Sequence, residues 1–141
     1  MSSATAIGLA IAHLSSELSS HAGGVGDGVA TAEAGGSNGF PFHVVYNISE
    51  LRNDPGLNAD DGMMEVLIQV TTASTTRQLR DLAAEQVAEA MIVTQVSSGT
   101  TLNGETLTVI GRTFDSRSND EQREGSVYST AQRFLWLCAV A

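Results

Sequence analysis

The sequence contains no lysine and few aromatic residues. All seven basic residues are arginines, against 16 acidic residues, which gives a formal net charge of −9. A chain this acidic repels the phosphate backbone of nucleic acids unless its arginines gather on one face, and their spacing indicates no such cluster. Aromatic residues make up only 5% of the chain, so it has little material for stacking on bases. Specific binding of nucleic acid is therefore not predicted.

The single cysteine, Cys138, excludes an intramolecular disulfide, and no Cys/His cluster has the spacing of zinc ligands. Cys138 lies in the apolar run 134–140, which predicts a buried core thiol and not a nucleophile. His43, alone in a predicted strand, is typical of a surface or cross-strand residue and not of a metal ligand. No G-x-S-x-G elbow is present, and no pair among the 16 carboxylates stands out as a hydrolase site. We therefore predict no cofactor and no enzymatic activity.

The remaining composition is that of a folded domain. With 141 residues, 42% of them hydrophobic, the chain can bury roughly 68–70% of its unfolded surface, and we predict one α+β domain over residues 1–141. The apolar start MSSATAIGLAIAHL lacks the basic region of a signal peptide and is interrupted by His13 and Glu17, so it is predicted to be a helix of the mature chain. No segment approaches the roughly 18 apolar residues of a membrane span, and no membrane association is predicted.

Two segments have the three-and-four spacing of apolar residues that is typical of amphipathic helices. The first covers residues 3–20, and the second runs from about Thr75 to about Val93. In the second, Thr75 and Gln78 have the spacing of a capping box, in which the Thr75 hydroxyl accepts a hydrogen bond from the Gln78 amide. The predicted core faces consist of Ile7, Ala10, Ile11, Leu14 and Leu18, and of Leu79, Leu82, Ala83, Val87, Ala90 and Met91. The predicted polar side of the second helix carries Arg80, Asp81, Glu85 and Glu89.

Four segments predict strands, and together with the helices they indicate an α+β fold. Its sheet is expected to be mostly antiparallel, with about four strands packed against two helices. Residues 40–48 are rich in β-formers, residues 63–72 alternate between apolar and polar, and residues 106–114 and 126–140 form a long hairpin. In the alternating strand, Met64, Val66, Ile68 and Val70 are predicted to face the core. The opposite face, with Glu65, Leu67, Gln69 and Thr71, is predicted to be wet or interfacial.

The closing strand is apolar on both faces from Phe134 onward, which predicts a central position in the sheet. Trp136 is the best candidate for the centre of the core. Residues 22–39 hold half of the chain's 14 glycines and predict a flexible loop, with at most a short strand near residues 29–33. A phosphate cradle is the alternative, but no strand precedes it, no Gly-Lys-Ser/Thr follows, and Asp27 and Glu33 would repel a phosphate.

Two charged connections are candidate interaction surfaces. Residues 50–62 form an acidic connection, and residues 115–125 form a hairpin tip without any apolar residue, which we expect to touch a neighbour as an arm. Adjacent carboxylates before a glycine can hold a metal or act as a base, but they are more typical of a solvated turn. The candidate interaction residues are Asp60, Asp61, Asp115, Arg117, Asp120, Glu121, Arg123 and Glu124.

The order of these elements resembles that of the tail terminator, or tail completion, proteins of long-tailed bacteriophages. In that family a strand follows an N-terminal helix, a second strand leads directly into a helix, and a C-terminal strand closes the sheet. The matching stretches are residues 41–48, 65–72, 79–91 and 131–137. The similarity covers most of the chain as a pattern of elements, without a sharp motif. Two departures are the long glycine-rich segment 22–39 and the absence of lysine.

The resemblance implies a ring of six copies that caps the tail tube and joins the tail to the head-side connector. The implied partners are further copies of the chain, the tail tube protein and the connector or neck protein, while DNA passes through the lumen without specific binding. The implied location is the tail or neck of the virion, after assembly in the host cytoplasm. A neighbouring interpretation is a tail tube or head-completion protein. The alternative from another class is a small cytosolic ferredoxin-like enzyme or ligand-binding domain, with its site on the face that carries Glu65 and Gln69.

Overall fold

A computed structural model describes residues 3–35, 38–53, 63–94, 96, 100–102, 105–118, 122–125 and 127–140. The helices are α1 (Ser3–Glu17) and α2 (Arg77–Ile92). The strands are β1 (Val25–Asp27), β2 (Phe42–Asn53), β3 (Met63–Ser74), β4 (Thr100–Leu102), β5 (Glu105–Arg117), β6 (Gln122–Glu124) and β7 (Val127–Val140). No helix in these ranges is long and apolar enough to cross a membrane.

The strands form one 7-stranded sheet in the order β1-β2-β3-β7-β5-β4, with β6 beside the start of β7. The long strands β2, β3, β7 and β5 pair antiparallel, whereas β1 runs parallel to β2. The predicted α+β fold is confirmed, and the four predicted strands are the four long ones. The short strands β1, β4 and β6, of 3 residues each, are additions at the margins of the sheet. The long β5–β7 hairpin and the central position of β7 are also confirmed.

Both helices pack on one face of the sheet, and the core lies between them and the strands. The alternating residues Met64, Val66, Ile68 and Val70 are fully buried there, as are Phe134 and Trp136 on β7. Burying each such side chain contributes roughly 1.5–3 kcal/mol, so the period-two pattern decides which face of β3 is covered. The indole Nε1 of Trp136 donates a 3.1 Å hydrogen bond to the carbonyl of Met91, which ties β7 to α2.

Helix α1 buries the apolar face that its sequence predicts. Ile7, Ala10, Leu14 and Leu18 are buried, and Ile11 packs against the same core. The ring of His13 is also buried, and its Nε2 lies 2.8 Å from the carbonyl oxygen of Ala90. This hydrogen bond joins α1 to the end of α2 across the core.

Helix α2 differs from its prediction at two points. Its N-cap is Thr76, whose hydroxyl accepts a 3.1 Å hydrogen bond from the amide of Leu79, so the prediction of Thr75 as the cap was wrong by one residue. The prediction that Leu79 and Leu82 face the core was also wrong, because both are exposed, whereas Arg80 is buried. The buried stripe consists of Arg80, Ala83, Ala84, Val87, Ala90 and Met91.

Two overlapping apolar stripes are possible on α2, and they differ by a small rotation about the helix axis. The observed stripe places small alanines against the sheet, which lets the helix approach the strands closely. It also places Arg80 inside, where the neighbouring Asp81 neutralises its charge. Spacing alone does not distinguish these two stripes.

The glycine-rich segment forms a short strand at Val25–Asp27 beside the start of β2, so the predicted position near residues 29–33 was wrong. Its glycines are required for close packing. A methyl group at Gly39 would collide with the carbonyl oxygens of Glu33 and Gly35, and one at Gly23 would collide with the Gly39 carbonyl and the Phe42 side chain. The described part of this segment therefore packs closely against the edge of the sheet.

Candidate interaction surface

The second face of the sheet carries no helix in the ranges that the structure describes. Near β1 a corner of this face is covered, because Val44 and Ala73 are buried. Across its centre, Leu67 on β3 pairs with Leu135 on β7, and both side chains are half-buried, as is Leu137. We call the β3 and β7 residues on this side the open face: Glu65, Leu67, Gln69, Thr71, Ala131, Arg133, Leu135, Leu137 and Ala139.

The open face is nearly neutral in a strongly acidic chain. Its charged residues are Glu65 and Arg133, and the Nε of Arg133 donates a 3.3 Å hydrogen bond to the side-chain oxygen of Gln69. An apolar centre with a polar rim of this kind is typical of a surface that packs against another protein. The alternation in β3 predicted a wet or interfacial face here, and the structure adds the apolar contribution of Leu135 and Leu137.

Half of the sequence-predicted interaction residues lie in the described part of the chain. Asp60, Asp61, Asp120 and Glu121 lie outside it. Arg123 and Glu124 belong to β6, which turns back through Gly125 and pairs with the start of β7. The connection 115–125 is therefore shorter than predicted, because β5 continues to Arg117 before the chain returns to the sheet.

The remaining two candidates point in different directions. Asp115 is exposed on β5, next to the β-bulge between Phe114 and Ser116. Arg117 is directed inward, because its Nη2 donates a 2.6 Å hydrogen bond to Asp81 and its Nε a 3.3 Å hydrogen bond to the hydroxyl of Thr130. The structure thus gives Arg117 an intramolecular role that the sequence did not indicate.

Asp81 binds two arginines, one from its own helix and one from β5. The Nε and Nη2 of Arg80 donate hydrogen bonds of 3.1 and 2.9 Å to the oxygen that also accepts from Arg117. Desolvation raises the pKa of Asp81, but the hydrogen bonds and charges of Arg80 and Arg117 outweigh it and hold the pKa below its usual value. The cluster fastens the end of β5 to the beginning of α2.

A chain of hydrogen bonds runs from the surface of α2 into the sheet through two histidines. The Nε2 of His21 lies 2.7 Å from the side-chain oxygen of Gln86, and its Nδ1 lies 2.7 Å from the Nε2 of His43. The Nδ1 of His43 lies 3.0 Å from the hydroxyl of Thr72. Because the Gln86 oxygen only accepts, the three bonds are satisfied when both rings are neutral and Thr72 donates inward.

His43 is fully buried, and burial together with the neighbouring charge of His21 lowers its pKa to about 3. Of the two predicted alternatives, the cross-strand one is confirmed, because Thr72 is the partner of His43 across β2 and β3, and the surface one is wrong, because His43 is buried. The contact with His21 was not predicted. The two residues are far apart in the chain, and only the path of β1 alongside β2 brings them together.

An open groove of about 510 Å³ lies next to His21, between the loop before β2 and the beginning of α2. Its walls are mainly apolar and include the exposed side chains of Leu79 and Leu82 together with Phe40 and Pro41. The Gln86 side chain also lines it and forms the outer end of the histidine chain.

The described residues contain no group of three or more His, Cys, Asp or Glu side chains that could hold a metal ion. Cys138 is fully buried, and burial raises the pKa of its thiol to about 11, as expected for a structural cysteine. A scan against protein-family models finds no match to this chain, and a search of curated proteins finds no similar sequence. The open face, the Asp81 cluster and the histidine chain are therefore interpreted from their geometry.

Proposed function

We propose that the protein is a ring-forming structural subunit of a phage tail or neck, a tail terminator that caps the tail tube and joins it to the head-side connector. The observation that carries the proposal is that both helices pack on the same face of the sheet. The long strands leave the open face, with an apolar centre at Leu67, Leu135 and Leu137, without a covering helix in the described ranges. Such a surface is stabilised when a second protein packs on it.

The order of the elements supports the same proposal. The four stretches that resemble the tail terminator family fall on β2, β3, α2 and β7. Strand β3 leads directly into α2, and β7 is the last strand in the chain, in the middle of the sheet between β3 and β5. Helix α2 also carries Glu85 and Glu89 on its exposed side. In a ring with DNA in its lumen, a row of carboxylates of this kind would repel the phosphates and let the DNA slide past.

The proposal is tested by measuring the mass of the purified protein with size-exclusion chromatography and multi-angle light scattering, alone and with tail tube protein. The expected result is a closed ring that binds the end of a tube in negative-stain images. Leu135→Glu, on the open face, should weaken association with the tube or with further copies. Leu82→Glu is the matched control, because Leu82 is exposed on the opposite layer. A chain that stays monomeric and never binds tube protein would refute the proposal.

Polymerisation distinguishes a terminator from a tube subunit. A tail tube protein adds rings one after another and forms long tubes, whereas a terminator stops at one ring. Electron micrographs of the concentrated protein without partners would decide between the two, since only a tube subunit gives filaments of growing length.

The groove beside His21 favours a second candidate, a ligand-binding domain. Its apolar walls and adjoining polar groups are typical of small-molecule sites. A thermal-shift screen with a broad panel of metabolites tests this candidate, and a hit should be lost in Leu82→Glu and retained in Leu135→Glu. The sequence predicts the site of this alternative on the face of Glu65 and Gln69, and on that face Gln69 contacts Arg133 and Thr71.

A further inference from the structure

Both outer edges of the sheet are only partly covered in the described part of the chain. On one side, β1 pairs with β2 only from His43 to Val45, and residues 46–53 continue without a described strand outside them. On the other side, β4 pairs with β5 only from Glu105 to Leu107, and residues 108–117 continue in the same way. Backbone amides and carbonyls on such edges can pair with another strand.

The first parts of these open edges carry few of the charges with which monomeric sheets protect themselves, whereas Glu50, Arg52, Asp115 and Arg117 follow further along the two strands. In residues 46–49 of β2 and 108–114 of β5, the one charged residue is Arg112. Its guanidinium is turned toward the end of α2, where Nη1 donates to the carbonyl oxygens of Ala90, Met91 and Thr94. Desolvation on this inward side lowers the pKa of Arg112. The charge of Arg112 is thus withdrawn from the edge.

Each edge instead presents apolar side chains. Tyr46 and Ile48 are exposed on β2, and Ile110 and Phe114 are exposed on β5. Ile48 lies at the β-bulge between Asn47 and Ser49, and Ile110 lies at the β-bulge between Val109 and Gly111. A bulge leaves its residue unpaired with the inner neighbour. Both isoleucines are thus exposed at a bulge, one on each edge of the sheet.

We infer that β2 of one copy joins β5 of the next, so that the sheet continues from subunit to subunit. Since β2, β3, β7 and β5 alternate in direction, β2 and β5 run antiparallel, and a head-to-tail joint between two copies keeps the whole sheet antiparallel. Strand β1 covers the start of β2, and β4 covers the start of β5. Because β2 and β5 run antiparallel, these covered starts lie at opposite ends of the joint, and the uncovered parts of the two strands face each other.

A second copy fits these edges better than an unrelated strand. Each copy of the chain carries a net charge of −9, yet residues 46–49 of β2 and 108–114 of β5 contain one charged residue, the withdrawn Arg112, so a joint centred on these residues opposes few like charges. In a head-to-tail arrangement each subunit uses its β2 edge for one neighbour and its β5 edge for the other. The subunits close into a ring when the rotation between neighbours allows it. The joint rests on the proposed ring and supplies the contact by which the ring is built.

The test uses lysines at the two bulges of the full-length chain. Ile48→Lys and Ile110→Lys should each abolish the ring and leave monomers. An equimolar mixture of the two should form a dimer and nothing larger, because each pair keeps one intact joint. Val93→Lys is the control, since Val93 is exposed at the end of α2 and belongs to neither edge strand, and it should assemble like the parent. Circular dichroism checks the fold, and Tyr46→Lys and Thr113→Lys on the same strands repeat the test if a bulge lysine unfolds the chain.

Three outcomes would overturn the joint. If both bulge variants assemble like the parent, the subunits meet elsewhere, while the proposed function stands. If Ile110→Lys alone forms a dimer, two β2 edges pair with each other and the head-to-tail arrangement is wrong. If the unsubstituted protein is a monomer both alone and with tail tube protein, the joint and the proposed function fail together.

Discussion

The imidazole rings of His21 and His43 are joined by a 2.7 Å hydrogen bond, although one ring comes from the residue just before the glycine-rich segment and the other from the interior of the sheet. His43 is fully buried, with the hydroxyl of Thr72 3.0 Å from its Nδ1 and the ring of His21 at its Nε2. Burial accordingly lowers the pKa of His43 to about 3. His43 is therefore neutral in the folded protein near pH 7.

The first prediction is that acid destabilises the protein through His43. Between its usual pKa of 6.5 and about 3, the unfolded chain binds a proton that the folded chain does not, so stability falls as the pH falls through this range. From about pH 7 to about pH 5 the loss from this group should be about 2 kcal/mol. Urea unfolding at several pH values measures it. His43→Gln should flatten the dependence, and parallel curves for parent and variant would contradict the assignment.

The second prediction concerns the start of α2, where two threonines stand side by side. Thr76→Ala should lower the free energy of unfolding by about 0.5–2 kcal/mol, because it removes the acceptor of the Leu79 amide. Thr75→Ala is the matched control and should change stability by less than about 0.5 kcal/mol, since Thr75 is exposed and does not cap the helix. The reverse order of effects would show that the helix begins one residue earlier.

The contrast between Thr75 and Thr76 illustrates how far the sequence predicts this fold. The long strands and the core positions of β3 were predictable, because strict alternation leaves one arrangement that buries Met64, Val66, Ile68 and Val70 together. Helix α2 was predictable as an element but not in its rotation. Choosing between its two stripes requires knowing that Asp81 and Arg117 compensate a buried Arg80.

The sequence contains no pattern that predicts the short strands or the histidine chain. A strand of 3 residues such as β1 has no period to detect, and it forms because the rest of the fold offers it the edge of β2. The contact of His21 with His43 depends on that pairing. The density of glycines in 22–39 predicts a loop, whereas the steric requirement for glycine at Gly23 and Gly39 follows only from the packed structure.

The third prediction is that Asp81 stabilises the junction of α2 and β5 more than Arg117 or Glu85 does. The side chains of Arg117 and Asp81 are 34% and 42% exposed, so their coupling in a double-mutant cycle should be about 0.2–1 kcal/mol and should weaken with salt. Asp81→Asn should cost more than Arg117→Gln, because it also leaves the buried Arg80 without its carboxylate. Chemical denaturation measures both.

Glu85→Gln is the control for this cycle, because Glu85 is exposed one turn further along α2. Its effect should stay within about 0.5 kcal/mol. The low pKa of Asp81 also means that its contribution is present at neutral pH and is lost as the pH falls through that pKa. Equal costs for Asp81→Asn and Glu85→Gln would show that the cluster does not hold the end of β5.

The fourth prediction is that Cys138 reacts with thiol reagents only when the sheet opens. Its side chain is fully buried on β7 next to Trp136, and burial raises the thiol pKa to about 11. Near pH 8 only about one thiol in a thousand would be ionised even if a reagent reached it, so alkylation of the native protein should be limited by unfolding. Denaturant should accelerate labelling in step with the loss of native Trp136 fluorescence. The control is the double variant Cys138→Ser/Val93→Cys. Its only thiol is at the exposed position 93 and should react at once. If native Cys138 reacted as fast as that control, β7 would not be the closed central strand on which the core and the proposed continuous sheet both depend.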